Sequence, residues 1–168
     1  MGPLSSKYDS FFQRYSLEFF GQYVDWRWFK AQGLAESNLN PLAVSPVGAK
    51  GIMQVMPATA VETAERLNLG HFDLTDPETN IRIGISYDLQ CFNFWKNETG
   101  VERFRFMFAS YNAGCGNILK AQRLAAITNQ WGPVSGHLPE VTEDNAWQTI
   151  DYVKHIEAFY SQIKAATS

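Results

Sequence analysis

The sequence lacks three features that would assign a protein to a class at once. Its 168 residues include no run of the roughly 18–20 apolar residues that a membrane span requires. They include no basic cluster, and a net charge of −3 argues against a nucleic-acid partner. The start, MGPLSSKYDSFF, lacks the basic and apolar regions of a secretory signal, so either the protein is not exported by that route or the chain has been trimmed.

Cysteine is scarce as well. Cys91 and Cys115 form no CxxC pair, and the three histidines are scattered, so we expect no metal and no cofactor. Two buried thiols are the default expectation for the cysteines. A disulfide is the alternative, and an oxidising compartment would favour it.

Charged residues make up only 18% of the chain, whereas aromatic residues reach 14%. Most aromatic side chains are expected to build the core. Some could instead line a groove for a sugar or a peptide, because ring faces pack well against apolar ligand faces. The length suits one domain with a substantial core, and no internal repeat or linker is visible.

Helical periodicity and the positions of Pro, Gly and Asp predict a predominantly α-helical α+β chain. Asp76 is predicted to cap the helix that follows it. The Pro and Gly residues of 37–56 predict turns and short strands, and residues 129–144 are predicted to be a long loop. The predicted helices cover residues 6–22, 25–36, 57–70, 76–92, 101–111, 116–127 and 145–163. Residues 1–23 form a predicted N-terminal helical segment, and 24–165 form the core of one domain over 1–168.

Glu36 stands at the end of a predicted helix and is followed by no other carboxylate before Glu62. A carboxylate at a helix C-terminus faces the negative end of the helix dipole, and apolar neighbours such as Ile52 and Val55 would desolvate it. Both effects predict a raised pKa. A glutamic acid that stays protonated near neutral pH can act as a general acid on a glycosidic oxygen. The alternative is a solvated acid at a helix end.

The segment that contains Glu36 reads ESNLNPLAVSPVGAKGIMQVMPATA, and Ala109–Gly114 reads ASYNAG. Between them, Asp76-Pro77 and Asn80-Ile81 precede Gly84 at fixed spacings. These three motifs, in this order, resemble those of the soluble lytic transglycosylases of the bacterial cell wall. The resemblance extends from about residue 24 to 153.

The resemblance implies a lysozyme-like fold with a small irregular or β insertion after the catalytic glutamate, here Glu36. It implies cleavage of the β-1,4 bond between N-acetylmuramic acid and N-acetylglucosamine without water. Glu36 would protonate the leaving oxygen and then accept the proton of the muramoyl C6 hydroxyl. That hydroxyl closes on C1 and gives a 1,6-anhydro product.

The resemblance also assigns substrate-binding positions. Five of them have a structural alternative. Ser45 and Gln54 could instead be turn residues, and Met53, Met56 and Tyr111 could be core residues. Two positions depart from the family pattern, since Gln148 replaces a glutamate and Ile150 an arginine. A glutamine can still hydrogen-bond a sugar. The substrate-binding residues implied are Ser45, Met53, Gln54, Met56, Tyr111, Asn112 and Gln148.

Two other functions compete with this one. A goose-type lysozyme that hydrolyses the same bond by inversion would need a second carboxylate about 6.5–9.5 Å from the first. The insertion contains none, and Asp73 and Asp76 further along the chain are weak candidates for this base. An inactive wall-binding module would not be expected to retain Glu36 and Tyr111.

The implied partner is the peptidoglycan glycan strand, reached in the periplasm or cell envelope by a monomer. Envelope, phage or secretion machinery is a further possible context.

Overall fold

A computed structural model describes residues 5–167 of the chain. These residues form nine helices, and the only β structure among them is two isolated bridges. The predicted predominance of helix, with an irregular insertion after Glu36, is thus confirmed. None of the helices combines the length and apolar character of a bilayer crossing. The helices are α1 (Asp9–Phe20), α2 (Arg27–Ser37), α3 (Pro57–Arg66), α4 (Pro77–Phe94), α5 (Gly100–Ala113), α6 (Cys115–Leu124), α7 (Trp131–Ser135), α8 (Pro139–Thr142) and α9 (Asn145–Ala166).

The described residues divide into two compact units. The first contains the chain up to Tyr87 together with the part of α9 from Ile156 onward, and the second is Asp88–His155. A single domain with a core over 24–165 stays a prediction, and residues 1–4 and 168 of the predicted range lie outside the described residues.

In the first unit, α1 and α2 pack through apolar side chains and one ion pair. Phe12 and Phe29 are fully buried. The Lys30 ammonium lies 2.7 Å from Asp9 Oδ1, and the Lys30 side chain is only 3% exposed. Helix α1 ends before Gly21, and not at Gln22 as predicted, because the φ of +80° at Gly21 is incompatible with an α-helix.

Removal of the Asp9 carboxylate should destabilise the protein strongly. Asp9→Ala leaves the Lys30 ammonium buried without its counter-ion, which typically costs about 3–5 kcal/mol. Glu18→Ala is the control, because Glu18 pairs with Arg82 near the surface and such pairs contribute about 0–1 kcal/mol. Urea unfolding followed by far-UV circular dichroism measures both. Equal losses in the two variants would contradict the expected contribution of the buried pair.

The second unit corrects the predicted loop over 129–144, which contains the two short helices α7 and α8. Trp131 is 6% exposed, packs edge-on against Phe106, and its backbone N–H donates to Glu102 Oε2 at 2.6 Å. Helices of four or five residues are too short to show a periodic apolar pattern. Long-range contacts of this kind, and not local propensity, therefore stabilise them.

The start of α4 matches its predicted signal, whereas the start of α2 differs from the prediction. Asp76 Oδ2 accepts the backbone N–H of Thr79 at 2.9 Å, so the predicted cap of α4 is confirmed. Helix α2 begins two residues later than predicted, and its N-cap is Trp26, so an N-cap at Asp25 is wrong. Asp25 Oδ1 still accepts the N–H of Arg27 at 3.1 Å, just before the helix. The Asp25 carboxylate also accepts the Tyr160 hydroxyl at 3.0 Å.

Candidate active site

Glu36 is the second-last residue of α2, at the C-terminal end where the sequence placed it. Its side chain is half-buried. The helix ends at Asn38, which adopts the left-handed conformation with φ 54° and donates its N–H to Leu34 O at 3.0 Å. The last turn that carries Glu36 is therefore closed by a regular C-cap. The raised pKa of Glu36 stays a prediction.

The end of α2 is tied to the insertion that follows it. The Ser37 hydroxyl donates to Ile52 O at 2.8 Å. Gly33 lies where a β-carbon would be 3.1 Å from side-chain atoms of Ile52, Leu39 and Phe12, so its lack of a side chain allows the close approach. Glu36 is thereby held at the start of the insertion by the contacts of Ser37, which follows it, and of Gly33, one turn before it.

The insertion is folded by backbone pairing and by one buried amide. Lys50 bridges both Val44 and Val55 in antiparallel fashion. Asn80 of α4, which is completely buried, accepts the Met53 N–H at 2.8 Å and donates to Lys50 O at 2.9 Å and Leu74 O at 3.0 Å. Sequence reasoning noted Asn80 only as part of a motif and did not predict this role.

Three of the implied substrate-binding residues of the insertion keep some exposure. Ser45 is half-buried, and its hydroxyl accepts the Ala49 N–H at 3.0 Å, as in a turn. Gln54 has φ 44° and donates its side-chain N–H groups to Gly51 O at 2.8 Å and Ala43 O at 3.2 Å. Met56 is 42% exposed. The turn alternatives for Ser45 and Gln54 are thus present in the structure, and a sugar contact stays a prediction for all three.

Met53 differs from the other implied residues. Its side chain is fully buried, and it packs against Gly84, where any β-carbon would collide with it. This is the position of a core residue, which was the structural alternative. In this conformation Met53 has no surface to offer a ligand, and Gly84 is needed because the methionine occupies the space that its side chain would fill.

In the second unit, Asn112 and Gln148 line one polar cavity of about 380 Å³. The Thr149 hydroxyl donates to Asn112 Oδ1 at 2.8 Å, and Asn117 Nδ2 donates to Ala113 O at 3.0 Å. The lining is amide, hydroxyl and small apolar groups without a charged side chain, which suits uncharged hydroxyl or acetamido groups. Its residues are Asn112, Ala113, Asn117, Val141, Thr142, Asn145, Gln148 and Thr149.

Sequence reasoning missed Asn117, Thr142 and Asn145 of this cavity. Asn117 follows the ASYNAG motif by only three residues, so its proximity was an available signal. Thr142 belongs to the region predicted as a loop, and Asn145 was predicted only as the start of the last helix. No local signal identifies either residue as part of a cavity. Tyr111 is half-buried at the end of α5, next to Asn112.

The two carboxylates that could serve as the base of a hydrolase, Asp73 and Asp76, both accept local hydrogen bonds. Asp73 accepts the backbone N–H and the hydroxyl of Thr75, each at 2.8 Å. The backbone hydrogen bond is the largest cause that holds the pKa of Asp73 below its usual value. Asp76 caps α4. Among residues 5–167, no group of three His, Cys, Asp or Glu side chains could hold a metal ion.

Comparisons of the whole chain with known proteins agree on one family. The family model described as "Transglycosylase SLT domain" matches residues 21–132. The membrane-bound lytic murein transglycosylase F of Vibrio cholerae is 31% identical over 168 residues, which cover 90% of this chain and 30% of that protein. The soluble lytic murein transglycosylase of Escherichia coli K12 is 37% identical over 115 residues, or 66% of this chain and 17% of that protein.

Solved structures agree with this match. The crystal structure of the 70 kDa soluble lytic transglycosylase of Escherichia coli superimposes with a TM-score of 0.75 at 29% identity, over 98% of this chain and 25% of that one. The predicted lysozyme-like fold of the lytic transglycosylases is thus confirmed. The chain spans about a third or less of the length of these relatives. It belongs to the transglycosylase SLT domain family.

Proposed function

We propose that the chain is a lytic transglycosylase domain that cleaves the β-1,4 bond between N-acetylmuramic acid and N-acetylglucosamine in peptidoglycan. The observation that carries the proposal is the placement of Glu36 at the closed end of α2, beside an insertion that has no other carboxylate. The relatives' names, lytic murein transglycosylases, support the same substrate and reaction.

The reaction needs only one carboxyl group, because that group works twice. Glu36 first gives its proton to the glycosidic oxygen, and the bond from that oxygen to C1 breaks. The resulting carboxylate then accepts the proton of the muramoyl C6 hydroxyl, and O6 attacks C1. The product is a 1,6-anhydro ring, no water is consumed, and Glu36 returns to its starting protonation state.

The proposed sugar-binding residues are Ser45, Gln54, Met56, Tyr111, Asn112 and Gln148. Asn112 and Gln148 have the most specific support, since both line the uncharged polar cavity of the second unit. The proposed site of action is the periplasm or cell envelope, because the substrate is there. We propose that the protein acts as a monomer, in wall metabolism or within envelope, phage or secretion machinery.

A hydrolase of the same fold is the second candidate. It would require a base that activates water, and the insertion after Glu36 contains none before Glu62. Asp73 and Asp76 are engaged with Thr75 and Thr79. The two functions differ in product mass by one water, so mass spectrometry of muropeptides released from purified peptidoglycan separates them. Products of full hydrolytic mass would reject the proposal.

Gln148→Ala should weaken substrate binding with little effect on turnover. Loss of one hydrogen bond to a sugar costs about 1 kcal/mol, which corresponds to a rise in KM of roughly fivefold. Lys154→Ala is the control, because Lys154 is exposed on the same helix and does not line the cavity. Steady-state kinetics on soluble glycan strands measures both. An unchanged KM for Gln148→Ala would remove Gln148 from the proposed site.

A further inference from the structure

Cys91 and Cys115 are the only cysteines of the chain, and no disulfide joins them in the structure. The expectation of two buried thiols is confirmed for Cys91 alone. Cys115 is the first residue of α6, directly after Gly114 with φ 83°, and is half-buried. Cys91 lies on α4 and is 1% exposed. Both belong to the second unit, and the two thiols are hydrogen-bonded to each other. Cys115 is therefore partly exposed, and the buried Cys91 lies beside it.

The surroundings of Cys115 stabilise a thiolate. Hydrogen bonds from the Cys91 thiol, the Ser110 hydroxyl and the Cys115 backbone amide outweigh the effect of burial and lower the pKa of Cys115 from an ordinary 9.0 to about 7. The Ser110 oxygen already accepts the Trp95 indole N–H at 2.7 Å. The Ser110 hydroxyl can therefore accept from Trp95 and donate to the Cys115 sulfur at the same time.

We propose that Cys115 is a modification site for disulfide reagents and that Cys91 is its resolving thiol. The Cys115 thiolate attacks a disulfide RS–SR, forms Cys115–S–S–R and releases one RS⁻. Cys91 then loses its proton, attacks the Cys115 sulfur, and releases the second RS⁻. The two cysteines are oxidised to an internal disulfide and RS–SR is reduced to two thiols, so that atoms and electrons balance.

This inference goes beyond the proposed glycan chemistry and does not depend on it. Neither thiol takes part in the reaction assigned to Glu36. The pair nevertheless lies near two implied sugar-binding residues of the second unit, since Ser110, which hydrogen-bonds Cys115, directly precedes Tyr111 and Asn112 in α5. Oxidation of the pair would replace the hydrogen bond between the two sulfurs by a covalent link between α4 and the start of α6.

The aryl disulfide 5,5′-dithiobis(2-nitrobenzoate) tests the proposal on the native chain, because each thiolate it releases is coloured. The wild type should release two equivalents, and intact mass spectrometry should show a protein lighter by two hydrogens with no reagent attached. Cys91→Ser should release one equivalent and keep half of the reagent. Cys115→Ser should not react under native conditions, because Cys91 is buried.

The rate of the first release tests the role of the Cys91 thiol as a donor. At neutral pH the lowered pKa of Cys115 gives roughly 50 times more thiolate than an ordinary thiol has. A thiolate of lower pKa is also a weaker nucleophile, by about a factor of ten here, so the reaction rate should be about fivefold higher. Cys91→Ala should lose most of this gain, whereas Cys91→Ser keeps a hydroxyl donor and should retain it. Circular dichroism checks that each variant is folded.

Three results would overturn the proposal. The wild type could retain half of the reagent, which would mean that Cys91 does not resolve the mixed disulfide. Cys91→Ala could react as fast as Cys91→Ser, which would remove the donor role. Cys115 could also fail to react in the native protein.

Discussion

Glu36→Gln is expected to reduce the formation of 1,6-anhydro muropeptides by about a thousandfold. General acid–base catalysis contributes typically 10²–10⁴-fold, and in the proposed reaction one carboxyl group supplies both the acid and the base. Glutamine has nearly the same shape but can neither give its proton to the leaving oxygen nor accept that of the C6 hydroxyl. The measurement is mass spectrometry of fragments released from purified peptidoglycan.

Glu62→Gln is the matched control for this experiment. Glu62 is the next carboxylate along the chain, and it is exposed on α3, away from any role in the proposed mechanism. Its replacement should leave the rate unchanged. Circular dichroism confirms that both variants are folded. Activity of Glu36→Gln within tenfold of the wild type would assign the acid to another residue and would remove the main support for the proposed function.

Asn80→Ala is expected to lower the free energy of unfolding by about 3–5 kcal/mol. The variant removes three hydrogen bonds at a completely buried position. The Met53 N–H and Leu74 O lose the Asn80 amide as a partner, whereas Lys50 O keeps the Val55 N–H at 3.0 Å. Each unsatisfied buried group costs about 1–3 kcal/mol, and partial relaxation reduces the sum. Because these bonds hold the insertion beside Glu36, the variant should also lose activity. Urea unfolding and product formation are the two measurements.

Asn93→Ala provides the comparison on the same helix. Asn93 is exposed near the end of α4, and surface substitutions of this kind usually change stability by less than about 0.5 kcal/mol. Gly51 gives an independent check on the same region. It has φ 77°, and a β-carbon there would collide with the Asn80 amide, so Gly51→Ala should resemble Asn80→Ala. A wild-type stability of Asn80→Ala would mean that the insertion does not depend on this amide.

The two cavity partners Asn112 and Gln148 show how far sequence comparison reaches. The resemblance implied both residues separately, one from the ASYNAG motif and one from a position where a glutamate is usual. The structure places them in one cavity, in which the Thr149 hydroxyl donates to the Asn112 side chain across 37 residues of sequence. Residues this far apart in sequence are linked by no periodic pattern or turn signal. The sequence alone therefore could not predict that Asn112 and Gln148 share a cavity.

The sequence by itself determined the helical class, the end of α2 to within one residue of Glu36, and the cap of α4 at Asp76. Each of these depends on residues within a turn or two of one another: apolar positions at i, i+3 and i+4, a carboxylate three residues before an N–H, and Pro and Gly that restrict the backbone locally. Local rules predicted only a raised pKa and a general acid at Glu36, and family resemblance added the reaction that we propose for it.

Only the tertiary structure decided the roles of Asn80, Met53 and Trp131. Asn80 and Met53 are 27 residues apart, and Trp131 and Glu102 are 29 apart. The contacts of these residues are buried and form only after the chain has folded. They are the hydrogen bonds of the Asn80 amide, the packing of Met53 against Gly84, and the bond between Trp131 and Glu102. Their energies depend on the partner, and the partner is not specified by any residue nearby in the sequence.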